Sequence, residues 1–334
     1  MGKILVTGAG GFIGSHLVDA LIKKNYKVRA FLKYSSNNNL GWLNNLKHKN
    51  LELFFGDITD YDSVNEACSG IDKIFNLAAL ISVPYSFKNP SSFIETNVNG
   101  LINILRAYKN KKSSIKKIIQ ISSSEVYGNT IGKKIKTLSE NLKLRSESPY
   151  AASKIAADHL AITSYKNDGT PIVVARPFNT FGPRQSLRAV IPTIITQLIK
   201  SKNKSIKLGN INSSRDFVYV KDTVQGLLKL ANSNKVNGEV VNIATNKSHS
   251  IKKIINFLCK YTNSNPKIII EKIRKRKTEL DILKGSNIKI NKLIKWKPLY
   301  DTDKMFYEAL IETYEWFLEP ENLKKYKNIN KYNL

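Results

Sequence analysis

Short apolar runs recur through the first half of the chain, and most are followed by a segment with helical spacing. The first is Lys3-Ile4-Leu5-Val6-Thr7. Tyr26 to Phe31, Leu51 to Phe55, Lys73 to Asn76, Ile118 to Ile121 and Ile172 to Arg176 repeat the pattern. Runs of this length, rich in Ile, Val and Phe and closed by turn-forming residues, read as strands. Helical spacing continues to about Lys24, and returns from Phe93 to Tyr108 and from Tyr150 onward. This alternation predicts an α/β fold, a doubly wound parallel sheet with ligands at the carboxyl ends of its strands. Pro84 to Pro90 reads as a loop able to close over a substrate.

After Arg176 the strict alternation stops. Ile191 to Lys200 is helical, Ile206 to Gly209 and Ser214 to Val220 are short strands, and Val240 to Ile243 returns to the main sheet. The expected division is a nucleotide-binding domain over 1–177, to which about 214–245 returns, and a smaller α/β substrate lobe over 178–318. A Lys/Asn-rich tail, 319–334, reads as loose.

Two turns carry candidate chemistry. After the first strand comes Gly8-Ala9-Gly10-Gly11-Phe12-Ile13-Gly14, with Gly8, Gly11 and Gly14 in the spacing GxxGxxG. Such glycines allow a tight turn and close approach to a pyrophosphate, which then meets the unpaired N–H groups of a helix start. A dinucleotide is the expected ligand. The second strand ends in Leu32-Lys33-Tyr34-Ser35-Ser36, with no acid between Asp19 and Glu52 to accept from a ribose 2′-hydroxyl. Lys33, Ser35 and Ser36 suit a 2′-phosphate, so the reading leans to NADP over NAD, although Lys33 could equally be one more exposed lysine. Asp57, next to Ile58, could accept from an adenine amino group. Leu77, Ala78 and Ala79 are small enough, as a turn, to pass close to the cofactor, and the Asn97 amide could bind backbone in that turn.

The fifth strand leads into Ser122-Ser123-Ser124-Glu125-Val126-Tyr127-Gly128. Beyond a polar loop, Tyr150 and Lys154 stand four apart in a helix-forming segment, one turn apart on one face. An ammonium near a phenol favours the phenolate and lowers a pKa that starts near ~10. A lone pair of this kind is more often an ordinary surface pair. Here it is joined by the hydroxyl of Ser123, the carboxylate of Glu125 and the opening glycines.

Composition narrows the partners. The chain has 334 residues, 42% apolar and 24% charged, with a formal charge of +28. The lysines are spread along its whole length, which fits solvated faces better than a nucleic-acid groove. No apolar run reaches membrane-spanning length, and Met1-Gly2-Lys3 leads directly into a strand. Cys68 and Cys259 are far apart, and no histidine stands at metal-ligand spacing. A cytoplasmic protein without metal, membrane or nucleic-acid partner is expected.

With these residues in hand, the chain resembles the extended short-chain dehydrogenase/reductase family, the nucleotide-sugar epimerases and dehydratases with a Rossmann fold. The resemblance spans roughly residues 3 to 318. It rests on Thr7 to Gly14, Gly56-Asp57, Asn76 to Ala79, Ser122 to Gly128, Tyr150 to Lys154, Arg176-Pro177-Phe178-Asn179 and Arg215-Asp216-Phe217-Val218. The stretch Arg176 to Gln197 is similar to the N-acetylglucosamine nucleotide 4,6-dehydratases of nonulosonic-acid and other surface-glycan pathways.

That resemblance implies roles. Tyr150 takes the proton from the sugar O4 while C4 gives a hydride to a tightly bound, recycled NAD(P); Lys154 tunes Tyr150 and holds the nicotinamide ribose. Ser123 shares a hydrogen bond with O4. Glu125 matches the base that removes the C5 proton; the lesser alternative is a structural carboxylate capping the next turn. Ser124 stands where glucose-nucleotide dehydratases carry an aspartic acid for the leaving water, a departure that leaves Glu125 or a bound water to move that proton. Arg215 and Arg274 resemble diphosphate clamps, with Asn179, Arg184 and Arg188 as further substrate-binding candidates. Arg274 with Arg276 could instead be a solvated basic run. The resemblance implies a homodimer and a nucleotide-sugar partner. UDP-glucuronate decarboxylase, a 4-epimerase and a non-catalytic NAD(P) sensor are the alternatives.

Overall fold

The computed structural model describes residues 2–36, 39–44, 46–111, 114–128, 137–201, 204–271 and 282–326. The first half alternates as the sequence pattern predicts. It runs β1 (Lys3–Thr7), α1 (Phe12–Lys23), β2 (Lys27–Lys33), β3 (Leu51–Gly56), α2 (Tyr61–Ala67) and β4 (Ile71–Asn76). Next come α3 (Val83–Lys88), α4 (Pro90–Ile94), α5 (Gly100–Asn110), β5 (Lys117–Ile121), α6 (Pro149–Asp168) and β6 (Ile172–Pro177). The remaining elements are β7 (Asn179–Phe181), α7 (Val190–Ser201), β8 (Ser205–Leu208), β9 (Ser214–Arg215), β10 (Phe217–Tyr219), α8 (Val220–Ala231) and β11 (Val240–Ile243). After them lie β12 (His249–Ser250), α9 (Ile251–Tyr261), β13 (Lys267–Ile270), β14 (Ile282–Leu283), α10 (Ile288–Ile294), α11 (Asp303–Leu318) and α12 (Pro320–Lys324).

The main sheet is seven-stranded and parallel, in the order β11-β6-β5-β4-β1-β2-β3. Both faces are covered. Val6 packs in a core with Leu17 and Leu21 of α1 and Leu227 of α8. Its neighbour Leu5 points the other way, into a core with Ala67 of α2, Leu101 and Ile104 of α5, and Ala157 of α6. A strand buried on both faces has no use for polar alternation, which is why these strands read as unbroken apolar runs. Strand order reverses at β1, and the crevice beside it is where such sheets bind ligands.

Four expectations change. Residues 84–90 are not a loop: α3 and α4 occupy that stretch, capped by Ser82 and Asn89, with Pro84 and Pro90 in their first turns. Proline breaks a helix interior but suits its start. The helix expected over Phe93 to Tyr108 is divided by a π-helical turn, Glu95–Asn99. The strand expected over Ser214 to Val220 splits at Asp216, and of the 214–245 segment only β11 joins the main sheet, while β10 pairs with β7. The buried Asp216 carboxylate accepts from Thr245 N, Thr245 Oγ1, Asn246 N and Gly285 N, which knots the chain there. The start of the tail is docked: Tyr326 OH donates to Gln185 O at 2.7 Å, and its ring packs edge-on to Trp42.

Candidate active site

The carboxyl ends of β1, β4 and β5 are joined by a buried polar chain. Thr7 Oγ1 donates to Asn76 Oδ1 at 2.7 Å, and Asn76 Nδ2 to Gln120 Oε1 at 2.7 Å. Thr7 Oγ1 also accepts from Ala78 N at 3.0 Å, tying the Leu77-Ala78-Ala79 turn to the glycine turn. The two turns touch: a Cβ at Gly8, whose φ is +64°, would stand 2.9 Å from Ala78 N. A Cβ at Gly14 would stand 2.2 Å from Gly8 O. Gly11 caps α1 with extended backbone and no side-chain bond. The first N–H groups of α1, at Phe12, Ile13 and Gly14, thus have no intrahelical carbonyl to serve and suit a pyrophosphate.

At the end of β2, Lys33 Nζ lies 3.1 Å from Asp57 Oδ2 at the end of β3. Burial works against the Asp57 charge, yet bonds from Thr59 and the Lys33 ammonium hold its carboxyl below the usual range. Lys33 remains largely exposed beyond this pair. Ser35 Oγ accepts from Asn39 N at 3.2 Å, bending the segment that follows β2. Ile58 is buried, its side chain 2.9 Å from the place a Cβ would take at Gly100, so it packs on α5 rather than lining the β2 end.

Beyond β5, Ser123 accepts from Glu125 N at 3.1 Å and starts the short helical turn Ser124–Tyr127. α6 starts at Ser148, whose hydroxyl accepts from Ala151 N at 3.1 Å, and Pro149 fits the first turn. This start sets the phase of α6 so that Tyr150 and Lys154 both turn inward, 6% and 3% exposed. Ser123 and Glu125 face the Tyr150 phenol. Ser124 is buried on the same turn.

The electrostatics differ from the sequence expectation. Burial pushes the Tyr150 phenol up to about 12; Ser123 works downward, while the Glu125 and Asp158 carboxylates add to the rise. Burial brings the Lys154 ammonium down to about 8, against Asp158, which works upward. Lys154 Nζ donates to Ile121 O at 2.9 Å. Thus burial, and not the Lys154 ammonium, decides the direction of the Tyr150 shift. Among the described residues the bond to Ile121 O uses one of the three ammonium protons of Lys154, so the group suits the two hydroxyls of a nicotinamide ribose.

The chain matches the family model described as GDP-mannose 4,6 dehydratase over residues 5–309. It is 36% identical over 276 residues to a dTDP-D-glucose 4,6-dehydratase of Dictyostelium discoideum, covering 76% of this chain and 62% of that protein's length. A solved UDP-N-acetylglucosamine 4-epimerase from Methanobrevibacter ruminantium, in complex with UDP-N-acetylmuramic acid, superposes with a TM-score of 0.83 at 33% identity, covering 95% of this chain and 98% of that one. The UDP-glucuronic acid 4-epimerase from Bacillus cereus, in complex with UDP-glucuronic acid and NAD, gives 0.82 at 29% identity, covering 95% and 99%.

The chain is an extended short-chain dehydrogenase/reductase. Its relatives include nucleotide-sugar dehydratases, epimerases and a decarboxylase, and solved structures among its neighbours are in complex with NAD or NADPH. Among the described residues of this family member, no helix is long and apolar enough to cross a membrane.

The substrate-side candidates divide. Asn179 N and Nδ2 both donate to Asp216 O from β7, which pairs with β10, and Arg215 Nη1 donates to Ser214 O at 2.9 Å on β9, which pairs with β12 and β14. Arg188 is exposed at the start of α7. Arg184 pairs with α1, its Nη1 2.7 Å from Asp19 Oδ2, and His16 Nε2 donates to Pro183 O at 2.9 Å. The Gly182–Gln185 turn is thereby fastened to the helix that starts at the glycine turn. Arg274 lies outside the described residues.

Sequence reasoning missed a buried pair. Asp158 Oδ2 lies 2.9 Å from Arg176 Nε, with the two side chains 2% and 4% exposed. Arg176 Nη1 donates to Tyr127 OH at 3.1 Å, and Tyr127 OH to Asn242 Oδ1 at 2.6 Å. Asp158 continues the four-residue spacing of Tyr150 and Lys154 along α6. That spacing was its one signal in the sequence.

Proposed function

We propose that this chain is a nucleotide-sugar 4,6-dehydratase that converts UDP- or GDP-N-acetylglucosamine to its 4-keto-6-deoxy form, using a tightly held NAD(P) that is regenerated in every cycle. The observation that carries the reading is a carboxylate, Glu125, on the same turn as Ser123 and facing the Tyr150 phenol. A 4-epimerase needs one acid–base group at O4; elimination needs a second beside C5. Homodimer formation belongs to the same reading.

The residues fit the cofactor, with the start of α1 for its pyrophosphate and Lys154 for its nicotinamide ribose. Lys33, with Ser35 and Ser36, keeps the preference on the NADP side, weakened by the share of Lys33 taken by Asp57. A nicotinamide bound there supplies the chemistry the side chains lack, taking a hydride from a sugar carbon and returning it to another.

The side chains do the rest. Tyr150 takes the O4 proton, helped by Ser123 and by the positive charge of Lys154. With a ketone at C4 the C5–H bond becomes acidic, and Glu125 removes that proton. The C6–O bond then breaks and hydroxide leaves as water, collecting the proton from Glu125 directly or through a solvent molecule, because a serine such as Ser124 has no acidity near neutral pH. The proton that Tyr150 took from O4 balances the one delivered to C5, so one water is lost and C4 remains a ketone in the product.

A second reading, decarboxylation of a UDP-uronic sugar, is favoured by Ser124, since losing a carboxylate needs no acid at C6. Mass spectrometry separates them. Purified protein is incubated with UDP- and GDP-N-acetylglucosamine and UDP-glucuronate. A loss of about 18 mass units supports dehydration, about 44 decarboxylation, and an isomer of equal mass epimerisation. No change with any of them refutes the proposal.

A further inference from the structure

Lys154 is 3% exposed and Arg176 4%, so two cations are closed inside the same region of the protein. Between them stands Asp158. It lies one turn beyond Lys154 on the inward face of α6, and its Oδ2 takes the Arg176 guanidinium at 2.9 Å. Its other oxygen, Oδ1, and the Ser122 hydroxyl facing it are both buried without a hydrogen bond, near enough to influence one another but not placed to bond. That edge of the carboxylate is therefore not used up by ordinary partners. Tyr127 takes the far side of Arg176, and Asn242 and Glu140 continue the network: Asn242 N donates to Glu140 Oε1 at 2.8 Å.

We propose that Asp158 is a positioning residue for Lys154, the shared anion that keeps this ammonium charged and seated behind the Tyr150 phenol while Arg176 keeps Asp158 itself ionised. The inference rests on the reading of Tyr150 and Lys154 as the acid–base pair.

The two cations differ in one decisive way. An arginine does not lose its proton in a protein, whereas a buried lysine does. Burial raises the Asp158 carboxyl, but the Arg176 guanidinium pulls it back, and a guanidinium so enclosed requires a counter-ion. If the carboxylate is replaced by an amide, the charge that disappears is the one that can: Lys154 becomes a neutral amine. Among the groups facing Lys154, Asp158 is the anion that opposes its deprotonation. Glu125 and Ser123 face Tyr150 instead.

The sign of the pH effect follows. Turnover needs Lys154 charged, so its alkaline limb reports Lys154. Removing Asp158 lowers the Lys154 pKa and moves that limb to lower pH by about 1 unit or more. A purely structural role for the Asp158–Arg176 pair would lower the rate at every pH and leave the limb in place.

The test is the pH profile of kcat for wild type, Asp158→Asn and Asp158→Glu, together with a lysine-labelled carbon NMR titration of Lys154, assigned as the resonance missing from Lys154→Arg. We expect Asp158→Asn to shift both the alkaline limb and the Lys154 midpoint downward, and Asp158→Glu to restore them. If Asp158→Asn does not fold, the neutral pair Asp158→Asn with Arg176→Gln carries the same expectation without an unpaired guanidinium. An unchanged Lys154 midpoint in any folded variant lacking the Asp158 carboxylate overturns the proposal. Absence of sugar-nucleotide turnover in wild type would sink the functional reading, while the NMR titration would still decide the role of Asp158.

Discussion

The amide of Asn97 donates to the Ser153 hydroxyl at 2.9 Å, reaching from the π-helical turn to a residue between Tyr150 and Lys154. The same side chain grips Leu80 from both sides, donating to its O at 3.0 Å and accepting from its N at 2.9 Å. Ser153 in turn donates to Tyr150 O at 2.7 Å. One buried amide thus holds the turn after β4 and the inward face of α6 in register. An α-helical continuation would rotate Asn97 away; the wider π-turn aims it inward.

Asn97→Ala leaves Leu80 N and the Ser153 hydroxyl without their partner in a buried site. The cost is about 2 to 4 kcal/mol, read as a lower denaturant midpoint at unchanged slope. Asn97→Asp keeps the acceptor for Leu80 N but loses both donated bonds, and should fall between.

On the proposed mechanism, Tyr150→Phe removes the proton acceptor for O4 while keeping the ring that packs edge-on to Phe93. Turnover should fall by about 100-fold or more, with folding and cofactor content preserved. A variant that turns over at a tenth of the wild-type rate would assign the proton to another group.

Glu125→Gln should separate the two halves of the reaction. In the proposed mechanism oxidation at C4 does not use Glu125, so reduced-cofactor absorbance should appear and persist when the sugar nucleotide is added. Water loss should stop. Elimination at the wild-type rate would remove Glu125 from its role.

Gly14→Ala places a Cβ 2.2 Å from Gly8 O, a contact backbone cannot yield cheaply. The glycine turn must open, which moves the first N–H groups of α1. Purified variant should carry little or no nicotinamide, measured by mass spectrometry of the denatured protein, and a stoichiometric cofactor load would contradict the assignment.

His16 gives a pH prediction. Burial pushes its pKa from 6.5 to about 4, so the folded protein holds fewer protons than the unfolded chain between those values. Stability is then highest above pH 6.5 and declines as pH falls towards 4, by about 3 kcal/mol for this group. His16→Gln can still donate to Pro183 O but does not titrate, so the decline attributable to His16 should vanish in unfolding curves measured across that window.

The sequence by itself determined the strands, the glycine turn and the Tyr150–Lys154 pairing, because each is written in short-range periodicity or in residues that only a tight turn needs. The tertiary structure decided what distance along the chain hides. It brought Arg176 to Asp158, turned Arg184 towards Asp19, and folded 83–94 into helices by using its prolines at first turns. It also set the direction of the Tyr150 shift, since residue spacing announces a neighbouring charge but says nothing of how completely water is excluded from both.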